Sequence, residues 1–245
     1  MKKLNVKIII SMIGFILLGC NSPDAADCFQ TAGDEVNILY QDVPEFNTLI
    51  IQDDIELTII QDELTYFELD YFTNLAPEVS YRLENDSLIF ENKNICKFVR
   101  NYKVPVLKYH TNQDIIDIIA LSTSPIHNRD TIFSDINIVS ENISNTISLT
   151  INNNRTRLSS NSTTNIELKG STERLNYNGY FNDAIINCKQ LEAKRVDFLQ
   201  RGYNDLIFNV SDSLVGSIEN AGRVLYLGEP GIKVKISGGG QLIKL

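Results

Sequence analysis

The fold of this 245-residue chain is decided by residues 145–180, which read NTISLTINNNRTRLSSNSTTNIELKGSTERLNYNGY. Two short runs in this stretch, Ile147-Ser148-Leu149 and Ile166-Glu167-Leu168, begin 19 residues apart, and each alternates apolar and polar residues as a half-buried strand does. The pattern continues downstream in Ile186-Asn187-Cys188 and Phe208-Asn209-Val210. A second series with spacings of 19, 21 and 20 residues comprises Leu158, Tyr177, Phe198 and Ile218.

A repeat of about 20 residues that contains two or three very short strands is typical of a parallel β-solenoid. Turn sequences recur in phase with it, for example Asn178-Gly179-Tyr180 and Arg201-Gly202-Tyr203. The polar stretch 152–165 contains Leu158 of the second series, and we therefore interpret it as the corners of one coil. The pattern predicts a solenoid over residues 112–245, with irregular antiparallel strands of coincident spacing as the alternative.

Short apolar strands separated by turn residues also occupy the preceding part of the chain. The predicted strands are residues 46–51, 55–60, 66–71, 79–83, 87–90 and 104–109. Glu84-Asn85-Asp86 is a hairpin-like turn between two of them. The composition agrees, because the chain has 32 Ile and 26 Asn but only 8 Ala. We expect an all-β protein, with an N-terminal β segment over residues 28–111 that continues into the solenoid.

The N-terminus has the pattern of an export signal. Residues 1–19 place Lys2, Lys3 and Lys7 before a short apolar run, which is too short to span a bilayer. The run ends in Leu17-Leu18-Gly19-Cys20, which resembles the bacterial lipobox and implies cleavage before Cys20 and lipidation of its thiol. Residues 20–27 would then be a tether. Asn21 after the cysteine favours the outer membrane, on either its periplasmic or its exposed side.

Charge and residue usage exclude several classes of function. The chain has 22 Lys+Arg against 31 Asp+Glu, a net charge of −9. Loss of three lysines with the signal makes it −12, which disfavours binding to nucleic acid. Two His without clustered Cys predict neither a metal site nor a cofactor, and both His110 and His127 are expected at the surface.

Three cysteines remain after Cys20. An exported compartment permits disulfides, and Cys28 with Cys96 is the pairing we expect. Cys188 follows Ile185-Ile186-Asn187 in an apolar strand pattern and is predicted to be a buried free thiol.

The predicted corners carry the candidate site. Tyr180, Phe181 and Tyr203 are expected at equivalent corners of adjacent coils, where they could form an aromatic platform for a sugar or a surface protein. Asp183 and Asp205 would supply polar contacts there, unless they serve only as turn residues. The acidic pairs Asp53-Asp54 and Asp62-Glu63 are predicted to be solvated turn residues.

The C-terminal stretch 218–245, IENAGRVLYLGEPGIKVKISGGGQLIKL, resembles the ending of the head GIN domain family. The resemblance extends weakly upstream through residues 46–51, 87–90 and 104–106 and covers nearly the whole exported chain, so that residues 28–245 resemble one such domain. It implies a right-handed β-helix-like fold and a place in the cell envelope, with no established activity. The family's Gly-Ser-Gly-Asp corners are replaced here by sequences such as Asn178-Gly179-Tyr180.

These observations predict a lipid-anchored envelope protein that binds or adheres and is not an enzyme. Its partners would be the membrane, through Cys20, and a glycan or a surface protein. A carbohydrate-active enzyme on the same coil is the first alternative, and it would require acids to converge in a cleft. A purely structural envelope protein is the second.

Overall fold

The computed structural model describes residues 31–95, 102–141, 143–180 and 183–245. These residues form 17 strands and, apart from a short 3-10 turn at Ala76–Glu78, no helix. Within the same ranges no helix is long and apolar enough to cross a membrane. The strands are β1 (Glu35–Tyr40), β2 (Thr48–Asp53), β3 (Glu56–Gln61), β4 (Tyr66–Phe72), β5 (Val79–Glu84), β6 (Ser87–Asn92), β7 (Val106–Thr111), β8 (Ile115–Ser122), β9 (Ile126–Asn128), β10 (Asp135–Ser140), β11 (Thr146–Ser160), β12 (Asn165–Gly179), β13 (Ile185–Gln200), β14 (Leu206–Ile218), β15 (Val224–Leu227), β16 (Gly231–Ile236) and β17 (Leu242–Lys244).

Most of the strands stack in parallel, coil upon coil, as the β-solenoid that the repeat predicts. Sheet 1 consists, in order, of β6, β2, β8, β10, the C-terminal halves of β11 to β14, and β16. Sheet 2 consists of β7, β3, β9, the N-terminal halves of β11 to β14, then β15 and β17. The two sheets enclose one continuous hydrophobic core.

The burial pattern of β13 shows how one long strand serves both sheets. Buried and exposed residues alternate along it, as the two-residue period of a strand requires. The alternation is reset where two neighbouring residues are both exposed, at Lys189-Gln190 and again at Lys194-Arg195. The chain turns a corner at each reset, so that a short middle segment around Leu191 and Ala193 joins the part of β13 in sheet 2 to the part in sheet 1, and the apolar residues of all three segments point inward.

The N-terminal segment continues and caps the solenoid. The coil formed by β2 and β3 lies between the coil of β6 and β7 and that of β8 and β9, out of chain order. Antiparallel strands then close this end, since β5 pairs with β6, β4 with β7, and β1 with β4. The predicted hairpin is confirmed, because Glu84 pairs with Ser87 across Asn85 and Asp86, which both have positive φ.

Two of the predicted alignments are wrong by two residues. Ile147, Ile166 and Ile186 do stack, but the next residue in that row is Leu206 and not Phe208. In the second series Phe198 pairs with Gly216 and not with Ile218. A shift of two residues keeps every side chain on the same face of the sheet, so the hydrophobic pattern is identical for the two registers. The true partner, Gly216, has no apolar side chain to mark its place in the series, and a Cβ there would collide with the backbone carbonyl oxygen and the ring of Phe198.

The polar stretch 152–165 is mostly strand rather than corner. It supplies the second half of β11, in which Leu158 is buried as predicted, and only the residues after Ser160 form the turn. Hydroxyl groups fill the interior at this turn: the Thr164 Oγ1 lies 2.8 Å from the Ser140 Oγ and 2.9 Å from the Ser162 Oγ. All three residues are buried, so their mutual hydrogen bonds offset the cost of removing them from water.

Candidate functional site

Tyr180 and Tyr203 of the predicted aromatic platform lie at the corner where each coil passes from sheet 1 to sheet 2. One turn joins Gly179 at the end of β12 to Ile185, and the next joins Gln200 at the end of β13 to Leu206. Tyr180 and Tyr203 project from these turns and are 43% and 64% exposed, respectively. Phe181 lies outside the described residues, as do Cys20, Cys28 and Cys96.

The strand register places the two tyrosines at different positions along this corner. Gly179 pairs with Gln200, so Tyr180 is level with Arg201, whose backbone N–H donates to the Gly179 carbonyl at 3.2 Å. Ile186 pairs with Leu206, and counting three residues back from each places Tyr203 level with Asp183. None of the ring contacts in the described part of the chain joins Tyr180 to Tyr203. The corner therefore offers two separate exposed rings.

A groove of about 630 Å³ lies beside Tyr203 on the sheet 2 side of the corner. Its walls come from three successive coils, and its middle coil supplies Tyr203, Asn204 and Asp205. Ile185 lies on one side of these residues and Arg223 on the other. Ile185 is 48% exposed, so the groove combines an apolar surface with carboxylate, amide and guanidinium groups.

The two predicted acids do not act as a pair. The guanidinium of Arg223 donates from Nε to the Asp205 Oδ1 at 2.8 Å and from Nη2 to Oδ2, a bidentate contact. These hydrogen bonds hold the pKa of Asp205 below its ordinary value. Asp183 contributes its backbone instead, since its carbonyl accepts from the Asn204 Nδ2 at 2.6 Å. Asp205 is thus ionised in the groove, and the positive charge of Arg223 balances its negative charge.

A second polar cluster lies on the outer side of sheet 2, near the cap. The Lys108 Nζ contacts the Asp70 Oδ2 at 2.6 Å and the Glu68 Oε2 at 3.2 Å. The amide of Asn37 donates to both acids, at 2.6 Å to Asp70 and 3.1 Å to Glu68. Burial opposes ionisation of these two acids, but the hydrogen bonds from Lys108 and Asn37 outweigh it, and both pKa values are lowered. The cluster ties β1, β4 and β7 together.

His110 belongs to this cluster, and the prediction that it lies at the surface is wrong. His110 is only 4% exposed, because the ring of Tyr66 stacks on its imidazole ring with the ring centroids 4.0 Å apart. Its Nδ1 lies 2.8 Å from the Asp62 Oδ2, and this hydrogen bond lowers the pKa of Asp62. Asp62 is thus tied to a neighbouring strand rather than being only a solvated turn residue. His127 is half-exposed, with its Nε2 2.9 Å from the Thr58 Oγ1.

Two further observations concern possible metal ligands and the free thiol of the described ranges. No three His, Cys, Asp or Glu side chains there are arranged to hold a metal ion. Cys188 is a free thiol that is 1% exposed, as its strand pattern predicts, and burial raises its pKa. Every carboxyl group in these ranges whose pKa is shifted has a lowered pKa.

The sequence patterns identified Tyr203 and Asp205 but missed Ile185, Asn204 and Arg223 as neighbours in the groove. Arg223 follows Asp205 by 18 residues, close to one coil, and this spacing was the available signal. Opposite charges one period apart are expected to meet on adjacent coils of a solenoid.

A family model described as "Putative auto-transporter adhesin, head GIN domain" matches residues 45–230. No curated protein matches the chain. A crystal structure named as a "putative adhesin" from Bacteroides fragilis NCTC 9343 is similar with a TM-score of 0.69 and 17% sequence identity, over 86% of this chain and 97% of that chain. Another so named, from Parabacteroides merdae ATCC 43184, has a TM-score of 0.60 and 16% identity, over 86% of this chain and 95% of that one.

A third crystal structure, named as a "putative lipid binding protein" from Parabacteroides distasonis ATCC 8503, has a TM-score of 0.50 and 16% identity, over 86% of this chain and 96% of that chain. At such identities the likeness shows a shared fold.

Proposed function

The chain belongs to the family described as "Putative auto-transporter adhesin, head GIN domain", and we propose that it is a non-enzymatic binding protein of the cell envelope, anchored through a lipid on Cys20. The ligand surface of this proposal is the corner groove defined above, which we call the Tyr203 groove. The observation that carries it is the position of Tyr203, which is 64% exposed directly beside a groove of about 630 Å³.

The groups around the Tyr203 groove suit a glycan. The apolar face of a sugar ring stacks on an exposed aromatic ring, whereas its hydroxyl groups need both donors and acceptors. Asn204 and Arg223 supply donors, and the ionised Asp205 supplies acceptors. The Asp205–Arg223 ion pair fixes the position of both charged groups before a ligand arrives, which reduces the entropy lost on binding.

The state of the acids supports binding rather than hydrolysis. Glycoside hydrolysis uses a carboxylic acid whose pKa is raised, so that it can protonate the leaving oxygen near neutral pH. Asp205 has the opposite shift, because Arg223 stabilises its ionised form. Asp183 engages the neighbouring turn through its backbone carbonyl.

The anchor is supported by the lipobox-like sequence before Cys20. It is tested by expressing the full chain with a clickable palmitate analogue and separating membranes from soluble protein. We expect Cys20→Ser to abolish labelling and to release the protein from the outer-membrane fraction, while the matched variant Cys188→Ser keeps both. Persistent labelling of Cys20→Ser would contradict the anchor.

The binding role is tested on a glycan array and on intact cells, with analysis of any cleavage products. We expect Tyr203→Ala to weaken binding by about 3- to 10-fold, the equivalent of one aromatic contact of about 0.5–1.5 kcal/mol. Phe133→Ala is the matched control, since Phe133 is 61% exposed and does not line this groove. Equal binding by wild type and by a Tyr180→Ala/Tyr203→Ala double variant would refute the groove. Turnover of a bound glycan would refute the non-enzymatic role.

A further inference from the structure

The two ends of the solenoid differ in how their outermost strands are paired. At one end, β6 and β7 are covered by the antiparallel strands β5 and β4. At the other end, β16 pairs with β14 and β17 pairs with β15. Among the described residues no strand covers the outer side of β16 or β17. Alternate N–H and C=O groups along these two edges therefore point away from the fold, as a template for a further strand.

The side chains of β16 extend the core rows of sheet 1 to this edge. Ile232 lies over Leu214 and Ile236 over Ile218, both of which are fully buried. Yet Ile232 is 48% exposed and Ile236 is 47% exposed, since no described strand covers them. Val234 lies between them over Gly216 and is half-buried. The edge thus presents three apolar side chains in the positions that a further coil would bury.

The same edge is basic, although the protein as a whole is acidic. Lys233 and Lys235 alternate with the three apolar residues, and both are exposed on the outward side of β16. β16 itself contains two lysines and no Asp or Glu, whereas the whole chain has a net charge of −9; the third lysine of residues 231–245, Lys244, is ion-paired with Glu229. A strand laid along β16 would therefore meet apolar side chains on one face and positive charge on the other.

This charge pattern disfavours a second copy of the chain on the edge. A two-fold related β16 would run antiparallel, and pairing centred on Val234 would place Lys233 opposite Lys235. Like charges directly opposite each other destabilise a strand pair. An extended segment with acidic residues at the alternate positions would instead gain an opposite-charge pair at each lysine.

We propose that the open edge of β16 binds an extended segment of another protein in which apolar and acidic residues alternate, added as a further strand. Main-chain hydrogen bonds to the edge provide affinity, and the alternation provides specificity. The apolar positions of that segment cover Ile232, Val234 and Ile236, and its acids face Lys233 and Lys235. This site lies on a different surface from the Tyr203 groove and does not depend on the function proposed for it.

The probe is a fluorescein-labelled peptide of nine residues that alternates glutamate and valine, with both termini blocked. It is titrated with the full chain in a mild non-ionic detergent, and binding is followed by fluorescence anisotropy. We expect saturable binding that a peptide alternating lysine and valine does not show. Lys233→Glu/Lys235→Glu should weaken binding at least about tenfold, since it replaces two attractive cross-strand pairs by two repulsive ones.

Matched variants separate the edge from general charge and from the groove. Lys169→Glu/Lys189→Glu changes the net charge equally in the middle of the solenoid and should leave peptide binding unchanged, as should Tyr203→Ala. Sedimentation velocity of the protein alone should show no association through this edge. No binding of the acidic peptide, equal binding of the basic one, an unaltered affinity of the Lys233→Glu/Lys235→Glu variant, or a dimer that Val234→Asp dissociates would each overturn the proposal.

Discussion

Replacing Gly170 by alanine is expected to destabilise the solenoid through the backbone of one corner. Gly170 has φ of +100° at the first corner within β12, where the strand leaves sheet 2. A Cβ built there would lie 3.1 Å from the carbonyl carbon of Ile151 on the preceding coil and still closer to its oxygen. The obstacle is backbone, so no side-chain rotation can relieve it.

The expected loss is about 1–5 kcal/mol in the free energy of unfolding. An alanine held at such a φ costs about 1–3 kcal/mol. Displacing the neighbouring coil to make room costs about 1–3 kcal/mol more, as overpacking does elsewhere. The smaller conformational freedom of alanine in the unfolded chain returns about 0.4–1 kcal/mol.

Urea denaturation followed by far-UV circular dichroism measures this loss. Gly239→Ala is the matched control, because a Cβ at Gly239 meets nothing within 4 Å, and we expect a change within about 0.5 kcal/mol there. Gly228→Ala should behave like Gly170→Ala, since Gly228 has φ of +95° and faces the Val210 carbonyl in the same way. If Gly170→Ala unfolds at the same urea concentration as Gly239→Ala, the stacked-corner reasoning is refuted.

Three further predictions follow from the packing and the charges. The pKa values of Asp62 and Asp205 are lowered on folding from their ordinary 3.8. The stability that these two carboxylates contribute should therefore be constant from pH 7 to about 5 and fall as the pH drops through their folded-state pKa values. Urea midpoints measured against pH test this, and a stability that rises below pH 4 would contradict it. Cys188, buried and with a raised pKa, should react with a thiol reagent only in denaturant, and rapid labelling of the native protein would show that its strand is not packed as described. Thr164→Val should cost about 0.5–1.5 kcal/mol, because it removes the hydrogen bonds of the Thr164 hydroxyl to Ser140 and Ser162 while both serines keep other partners; an unchanged urea midpoint would contradict this.

The candidate site shows where inference from the sequence stops. Tyr203 and Asp205 were identifiable because turn residues recur with the repeat, and a turn at the corner of a coil is exposed. The residues that surround them in the groove were not identifiable, because Arg223 contacts Asp205 from the next coil and this contact depends on the strand register to within one residue. The same limit applies to His110, which is buried only because Tyr66 on the neighbouring antiparallel strand stacks on it.

The sequence by itself determined the all-β class, the coil of about 20 residues and most strand positions, because alternating apolar residues and turn residues are local properties of the chain. Only the tertiary structure decided the insertion of β2 and β3 between later coils, the antiparallel cap, and the alignment of Phe198 with Gly216. The physical reason is that strand pairing joins residues far apart in the chain, and an offset of two residues leaves the hydrophobic pattern unchanged. The open edge of β16 is of the same kind: its lysines and apolar residues are visible in the sequence, but only the stacking of the coils shows that no strand of the described ranges covers them.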